Sequence, residues 1–204
     1  MNDYIPHEFG SLEYVTIDEA IDAVVRTGRG AILVKRDLSD AFRHIPIALS
    51  DRWLLGFSFD DTFHEEQSLL FGLRTAPFLF DLFARGLNWI LVAVLCWSVV
   101  IHYLDDFLAV LAPNADVNLY KQHFDMLCRQ LGLAVNHKKD VEGTVADFLG
   151  LEIDNIAMQL RLPKYKLVRG EGYRPEKSFP EKTIRRPQQI GLFHIYQQRY
   201  EEGS

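Results

Sequence analysis

Two adjacent carboxylates, Asp105 and Asp106, interrupt an apolar stretch: Val99-Val100-Ile101-His102 and Tyr103-Leu104 come before them, Phe107-Leu108-Ala109-Val110-Leu111 after. Short runs this rich in Val, Ile and Leu read as buried strands, and the break between them reads as a tight turn. A strand–turn–strand with two charges at its tip is a severe constraint on the fold, because buried charge is costly unless positive charge sits against it. The plain alternative is a solvated Asp-Asp hairpin turn. A third aspartate weighs against that alternative. Asp37 ends another apolar run, Ala31-Ile32-Leu33-Val34, directly after the basic pair Lys35-Arg36. Three carboxylates at the ends of buried strands form a hard oxygen donor set suited to Mg²⁺. Two such ions about 3.5–4 Å apart can clamp the attacking and leaving oxygens of a phosphoryl transfer.

The flanking segments supply the rest of a small domain. Thr16 and Glu19 have capping-box spacing, Ala20, Ile21, Val24 and Val25 follow at helical spacing, and Gly28 sits where a helix would stop, so a helix over 17–27 is expected. Ala31–Arg36 reads as a strand, and Leu38–Phe42 as a turn or short helix. Trp53–Phe59 reads as a second strand turning at Asp60-Asp61, with its hairpin partner in Phe63–Leu69. Pro77 suits a helix start, and Phe78, Leu79, Leu82, Phe83, Leu87, Ile90 and Leu91 give that helix a broad apolar face. Asp116 caps a third helix whose apolar residues run from Val117 to Leu131, closed by Gly132. Leu133–Val135 reads as a short strand. Phe148–Ile153 and Met158–Leu162 read as a hairpin turning at Asp154-Asn155. The order predicts an α+β fold, a small antiparallel sheet with helices packed on one face and Asp37 beside the hairpin tip.

Charge distribution separates the chain into two parts. The net charge of the 204 residues is −6, yet residues 161–204 carry 10 basic against 5 acidic side chains, leaving 12 against 23 in the first 160. An acidic body suits a metal-ion site better than a bare phosphate-binding surface. After Leu167, Pro175, Pro180 and Pro187 alternate with charges and Gly170 and Gly172, which reads as a mobile tail. The longest apolar run, Trp89 to Ile101, is broken by Ser98 and falls short of the about 20 residues of a membrane span, so no membrane is expected. The N-terminus, Met1-Asn2-Asp3-Tyr4, shows no leader pattern, and the two cysteines, Cys96 and Cys128, give no disulfide framework. An intracellular location, cytoplasm or nucleus and not secreted, is therefore expected. Cys96, His102, His123 and Cys128 match no familiar zinc spacing, so buried or surface roles fit them better.

Five segments in order carry a family likeness. They are Lys35-Arg36-Asp37-Leu38-Ser39-Asp40-Ala41-Phe42-Arg43-His44-Ile45-Pro46, Phe71-Gly72-Leu73-Arg74-Thr75-Ala76-Pro77-Phe78-Leu79-Phe80, Tyr103-Leu104-Asp105-Asp106, Leu131-Gly132-Leu133-Ala134-Val135-Asn136-His137-Lys138-Lys139 and Phe148-Leu149-Gly150-Leu151-Glu152-Ile153. Together they resemble the palm of retroelement reverse transcriptases, most closely the retrotransposon enzymes of the tyrosine-recombinase (DIRS-like) kind, over about Ile5 to Leu167. The resemblance implies a reverse transcriptase domain over 1–167, partial fingers plus a polymerase palm, followed by a divergent tail over 168–204. The chain departs from the family at Leu70, where proline is usual. Most of the fingers that would precede Asn2 in the family are expected to be absent, and the stretch after Leu167 does not look like the family's thumb or an RNase H segment. A truncated element copy is the expectation.

The resemblance also implies roles. Asp37, Asp105, Asp106 and the Leu38 carbonyl would hold two Mg²⁺ ions, or Mn²⁺, with Asp106 supporting more than binding. Ser39 and the backbone N–H groups of Asp40 and Ala41 would cradle the triphosphate of a dNTP, with Phe71 and Gly72 packing against it. Phe42 would close the space below the sugar, or serve as a core aromatic. Lys139 would give a proton to departing pyrophosphate, with Lys138 competing for the role. Arg74 would meet template phosphate or form a surface ion pair. Tyr103 and Phe71 would stack near bases or pack in the core, and Phe148, Leu149 and Gly150 would grip the primer end. The implied function is RNA-directed DNA polymerisation, with an RNA or DNA template, a DNA primer and dNTPs as partners. A non-catalytic relic or scaffold binding nucleic acid or protein is the alternative. Another palm-type nucleotidyltransferase, such as a cyclase, is weaker for want of a Gly-Gly turn.

Overall fold

A computed structural model describes residues 2–6 and 8–163, together with the backbone of 194–195. The tail expected over 168–204 otherwise lies outside the described residues. Helix α1 (Ile17–Thr27) starts where its cap lies, with the Thr16 hydroxyl accepting from the Glu19 N–H at 3.4 Å. It stops at Gly28, whose φ of +97° is open to glycine and whose N–H returns to the Val24 carbonyl. Strand β1 (Ile32–Asp37) follows, then a 3₁₀ turn at Ala41–His44.

A further 3₁₀ segment, Leu49–Leu55, leads into an exposed ribbon of β2 (Gly56–Phe59) and β3 (Thr62–Glu65). The strand expected from Trp53 therefore begins at Gly56. Residues 53 and 54 have no partner strand and no core to face: Trp53 and Leu54 are exposed and only Leu55 is buried.

Helix α2 (Ala76–Trp89) carries Pro77 in its first turn and runs on as a π-helical turn over Ile90–Val94. This continuous stretch, Ala76–Val94, is long and apolar enough by length and composition to cross a membrane, which the broken run Trp89–Ile101 did not suggest. Phe80, Ala84, Leu87 and Leu91 nevertheless sit in the protein core.

Strands β4 (Val100–Tyr103) and β5 (Asp106–Leu111) form the hairpin expected around the paired aspartates. Helix α3 (Val117–Gln130) is capped by Asp116, whose carboxylate accepts from the Leu119 N–H at 2.9 Å. The segment Leu133–Val135 makes one isolated bridge, Val135 to Leu38, rather than a strand. A 3₁₀ turn at His137–Lys139 precedes β6 (Val141–Gly143), β7 (Val145–Phe148), β8 (Leu151–Asp154) and β9 (Gln159–Arg161). The continuous strand expected over Phe148–Ile153 is broken by a two-residue turn. Leu149 and Gly150 both take positive φ, 50° and 78°, as a primed hairpin turn demands. A short β10 (His194–Ile195) pairs in parallel with β9.

The central sheet has the order β4-β5-β1-β6, all antiparallel, and its register places Asp37 opposite Asp106 and Tyr103 opposite Asp106. Alternation along β1 and β5 splits their side chains between two cores. Val34, Phe107, Ala109 and Leu111 pack under α2 and α3. Leu33, Leu108 and Val110 pack against α1 and the second sheet, through Ile21, Val24, Phe148 and Ile153. The two long helices thus share one face, as expected, while α1 joins the β7–β9 sheet on the other. Burial on both faces explains why Ile32–Val34 of β1 and Phe107–Leu111 of β5 read as unbroken apolar runs.

Candidate active site

The site forms where β1 ends and the β4–β5 hairpin turns. Asp37 is the last residue of β1 and only 2% exposed. The turn between β4 and β5 holds Leu104 and Asp105, with Leu104 at φ +51°. A leucine in the left-handed region is uncommon and costs backbone strain. The Leu38 N–H donates to the Asp105 carbonyl at 3.0 Å, stitching the hairpin tip to the chain leaving β1. Asp37 and Asp106 are therefore register partners on hydrogen-bonded strands, with Asp105 beside them at the turn.

Two ammonium groups answer that charge. Lys35 lies two residues before Asp37, so it shares its face, and Lys35 Nζ reaches Asp106 Oδ2 at 3.1 Å. Lys139 Nζ donates to Asp37 Oδ2 at 2.9 Å from the turn after α3. Burial pushes the Asp105 carboxyl above the usual carboxylate range, and the neighbouring Asp37 adds to the shift. Burial likewise raises Asp106, opposed by Lys35 and reinforced by hydrogen bonding to Asp37. The hydrogen bond to Asp37 raises the Lys139 ammonium, which stays charged. Three carboxylates against two lysines leave a deficit of positive charge in a half-buried setting. Carboxylate oxygens are the hard donors a divalent cation takes, though here the ammonium groups of Lys35 and Lys139 occupy two of them. Among the described residues, no three His, Cys, Asp or Glu side chains stand close enough to form a ready-made metal site. Cys96 is exposed, Cys128 is buried and His123 accepts from the Trp97 indole at 3.1 Å, so the zinc arrangement weighed earlier is not assembled.

Around the carboxylates, the other expected residues divide into those that face the site's surroundings and those that do not. Phe42 is half-buried and meets Phe71 and Phe80 edge-on at 5.0 and 5.8 Å. Phe71 is exposed, and Gly72 takes φ +84° and accepts from the Asn2 side chain. Asp40 is exposed with φ +52°, which turns the chain into the 3₁₀ turn, where Ala41 is buried. The Ser39 N–H is spent on the Ala134 carbonyl at 2.8 Å. Arg74 donates from its guanidinium to the Ile5 carbonyl. The Tyr103 ring meets that of Tyr14 at 4.9 Å, tilted by 34°. Lys138 is exposed, and it is Lys139 whose ammonium meets Asp37.

The Phe148 side chain is fully buried among α1 and β8. Leu149 and Gly150, at the turn, remain half-buried.

Several contributors escaped the sequence reading. Lys35 was legible only through its strand spacing to Asp37. Asp81, 6% exposed, binds His102 Nε2 at 3.1 Å and Arg85 Nε at 2.5 Å, linking α2 to β4. Burial pushes His102 below the usual histidine range, opposed by its hydrogen bond to Asp81. These groups line a cavity of about 320 Å³ beside the hairpin, with Tyr14, Asn88, Tyr103 and Leu104. No sequence signal marks that long-range pairing, because His102 and Asp81 meet only through the fold.

Comparison with known proteins decides the family. The family model for reverse transcriptase (RNA-dependent DNA polymerase) matches residues 5–153. The chain belongs to the reverse transcriptase family. Protein P of duck hepatitis B virus is 29% identical over 140 residues in the brown Shanghai duck S5 isolate and in strain Germany/DHBV-3. Each match covers 67% of this chain and 17% of the viral protein, so the chain spans about a sixth of those relatives' length. Foamy viral protease–reverse transcriptase in complex with double-stranded DNA superposes with a TM-score of 0.64 at 18% identity, over 84% of this chain and 28% of that one. The same viral protein with an RNA/DNA hybrid gives 0.56 at 19% identity, over 79% and 21%. At such identities the structural likeness speaks for the fold alone.

Proposed function

We propose that this reverse transcriptase domain adds dNTPs to the 3′-hydroxyl of a DNA primer on an RNA or DNA template. We further propose that it derives from a retrotransposon of the DIRS-like kind, occupies residues 1–167, and works in the cytoplasm or nucleus. The observation that carries the reading is the convergence of Asp37, Asp105 and Asp106 at one sheet end, short of positive charge and flanked by two lysines. Asp37, Asp105 and the Leu38 carbonyl would hold Mg²⁺, or Mn²⁺, with Asp106 in support; the metal would acidify the primer hydroxyl and offset charge at the α-phosphate. The chain's own groups do the rest. Phe42, braced by Phe80, closes the space where a 2′-hydroxyl would sit. The N–H groups of Asp40 and Ala41 face the triphosphate at the start of the 3₁₀ turn, with Phe71 and Gly72 beside it. Lys139, charged and within reach of the carboxylates, delivers a proton to pyrophosphate. Tyr103, Leu149 and Gly150 contact template or primer, and Arg74 contacts template phosphate once released from Ile5.

A second reading, a non-catalytic relic or scaffold, is favoured by one observation: Lys35, Lys139 and Arg74 are all spent on internal partners. Extension of oligo(dT) on poly(rA) by the purified chain separates the two. The polymerase reading expects Mg²⁺-dependent dTMP incorporation that disappears in Asp105→Asn. Incorporation that survives Asp105→Asn would remove the assignment, and none in the parent chain would favour the scaffold.

A further inference from the structure

Lys139 sits on a three-residue turn with no buried side chain of its own, yet its ammonium meets Asp37 at a hydrogen-bond distance. Something must hold that turn against β1. One tie is backbone, the Asn136 N–H to the Asp37 carbonyl at 2.8 Å. The other is Arg36, which follows Lys35 in β1 and so points to the opposite face of the sheet. Its side chain is only 1% exposed, among the least exposed of any charged group described. The guanidinium lies over the Phe124 ring at 5.3 Å and donates from Nη2 to Asp125 of α3. From Nη1 it donates to Asp140 Oδ2 at 2.6 Å, the residue directly after Lys139. His137 Nδ1 lies 3.2 Å from the same oxygen, which closes the turn on itself. A planar fork that binds two carboxylates on two elements fixes both distance and orientation, which a lysine's point charge does not.

We propose that Arg36 is the positioning residue for Lys139: by tying Asp140 to β1 and α3, it sets where the Lys139 ammonium stands relative to Asp37. The proposal rests on the polymerase reading for what Lys139 does, but not for where it sits. Alternation along a single strand then divides the labour, with Lys35 and Asp37 on the carboxylate face and Arg36 bracing the same site from beneath.

Acylation of the full chain by an acetyl N-hydroxysuccinimide ester, read by peptide mass spectrometry, tests this directly, with exposed Lys138 as internal control. Arg36→Lys keeps the charge but loses the fork, and Asp140→Asn weakens the clamp from the turn. Both are expected to acylate Lys139 about threefold faster than the parent chain, the size of one released ion pair, while Lys138 stays unchanged. Circular dichroism identifies folded variants; should Arg36→Lys misfold, Asp140→Asn carries the test. Unchanged Lys139 reactivity in the folded variants overturns the proposal, as does a rise equal at Lys138 and Lys139. Where primer extension is measurable, kcat is expected to fall about 10–100-fold with nucleotide KM held within about twofold, as for loss of a supporting contact. Full rescue of kcat by Arg36→Lys would mean that charge alone suffices, and it too overturns the role. If the chain extends no primer but Lys139 reactivity changes as expected, the polymerase reading fails and the positioning role stands.

Discussion

The chain contains the Asp-Asp dipeptide at two hairpin turns, and the two could hardly differ more. In the β2–β3 ribbon, Asp60 and Asp61 form the turn itself, at φ 49° and 53°, and every residue of both strands is exposed. In the β4–β5 hairpin, Asp105 and Asp106 sit half-buried, Asp106 in register with Asp37, with Lys35 and Lys139 supplying the counter-charge. The dipeptide is therefore not the signal. What makes one turn a site and the other a bend is the third carboxylate brought alongside by the sheet, and the burial that makes those charges matter.

The sharpest way to break this contrast is to neutralise each turn in turn. In a chain that extends primers, Asp37→Asn and Asp105→Asn are expected to lower incorporation by about 10³-fold or more, the loss of several kcal/mol of transition-state stabilisation. Asp60→Asn and Asp61→Asn are expected to leave it within about twofold, as for surface substitutions. Equal losses at both turns would mean that the dipeptide, rather than its setting, matters.

Stability gives a second contrast between the two regions. Phe148, fully buried behind the site, and Phe59, exposed on the ribbon, are the same residue in opposite environments. Phe148→Ala is expected to cost about 3–5 kcal/mol in urea unfolding, Phe59→Ala less than about 0.5 kcal/mol. A large cost at Phe59 would show that the ribbon is covered in solution.

The pH dependence follows from the raised carboxyls of Asp105 and Asp106. A carboxyl raised on folding binds its proton more tightly in the native state. Its contribution is therefore fully favourable below the unfolded value, near the ordinary 3.8, and is lost as pH rises through the higher folded value. Asp105→Asn removes that loss. The variant is expected to melt at a higher temperature than the parent at pH 7, with the difference shrinking as pH falls toward 3.8. A lower melting temperature at pH 7 would show that Lys35 and Lys139 more than offset the burial cost. Loss of activity with gain of stability is the signature of charge held for function.

Much of this was legible in the sequence, and the failures have physical causes. Local signals held: Thr16 and Gly28 bound α1, Asp116 starts α3, and the Asp60-Asp61 turn lies where it was read. Asp37 and the Asp105-Asp106 hairpin were placed together through strand order alone. Long-range pairings were invisible, because nothing local marks Arg36 for Asp125 and Asp140, or His102 for Asp81. The burial of Phe148 was not legible either, since a strand's inward and outward residues cannot be told apart without knowing which face is covered. The second face, where α1 meets the β7–β9 sheet, was missed for the same reason.

The smallest expected effect separates backbone strain from packing. Asp61 and Leu104 are both non-glycine residues held at left-handed φ in two-residue turns, 53° and 51°. Glycine relieves that strain at either position. At Asp61, exposed and outside both cores, the left-handed penalty of about 1–2 kcal/mol outweighs the roughly 0.5–1 kcal/mol of chain entropy that glycine costs, so Asp61→Gly is expected to stabilise by about 0.5 kcal/mol. At Leu104 the side chain packs against the core under α2 and α3, so the packing lost cancels the strain relieved. Leu104→Gly is expected to be neutral or destabilising in the same urea titration. If both substitutions stabilise equally, the strained leucine at the carboxylate turn is idle, and the tip of that hairpin is held by its strands alone.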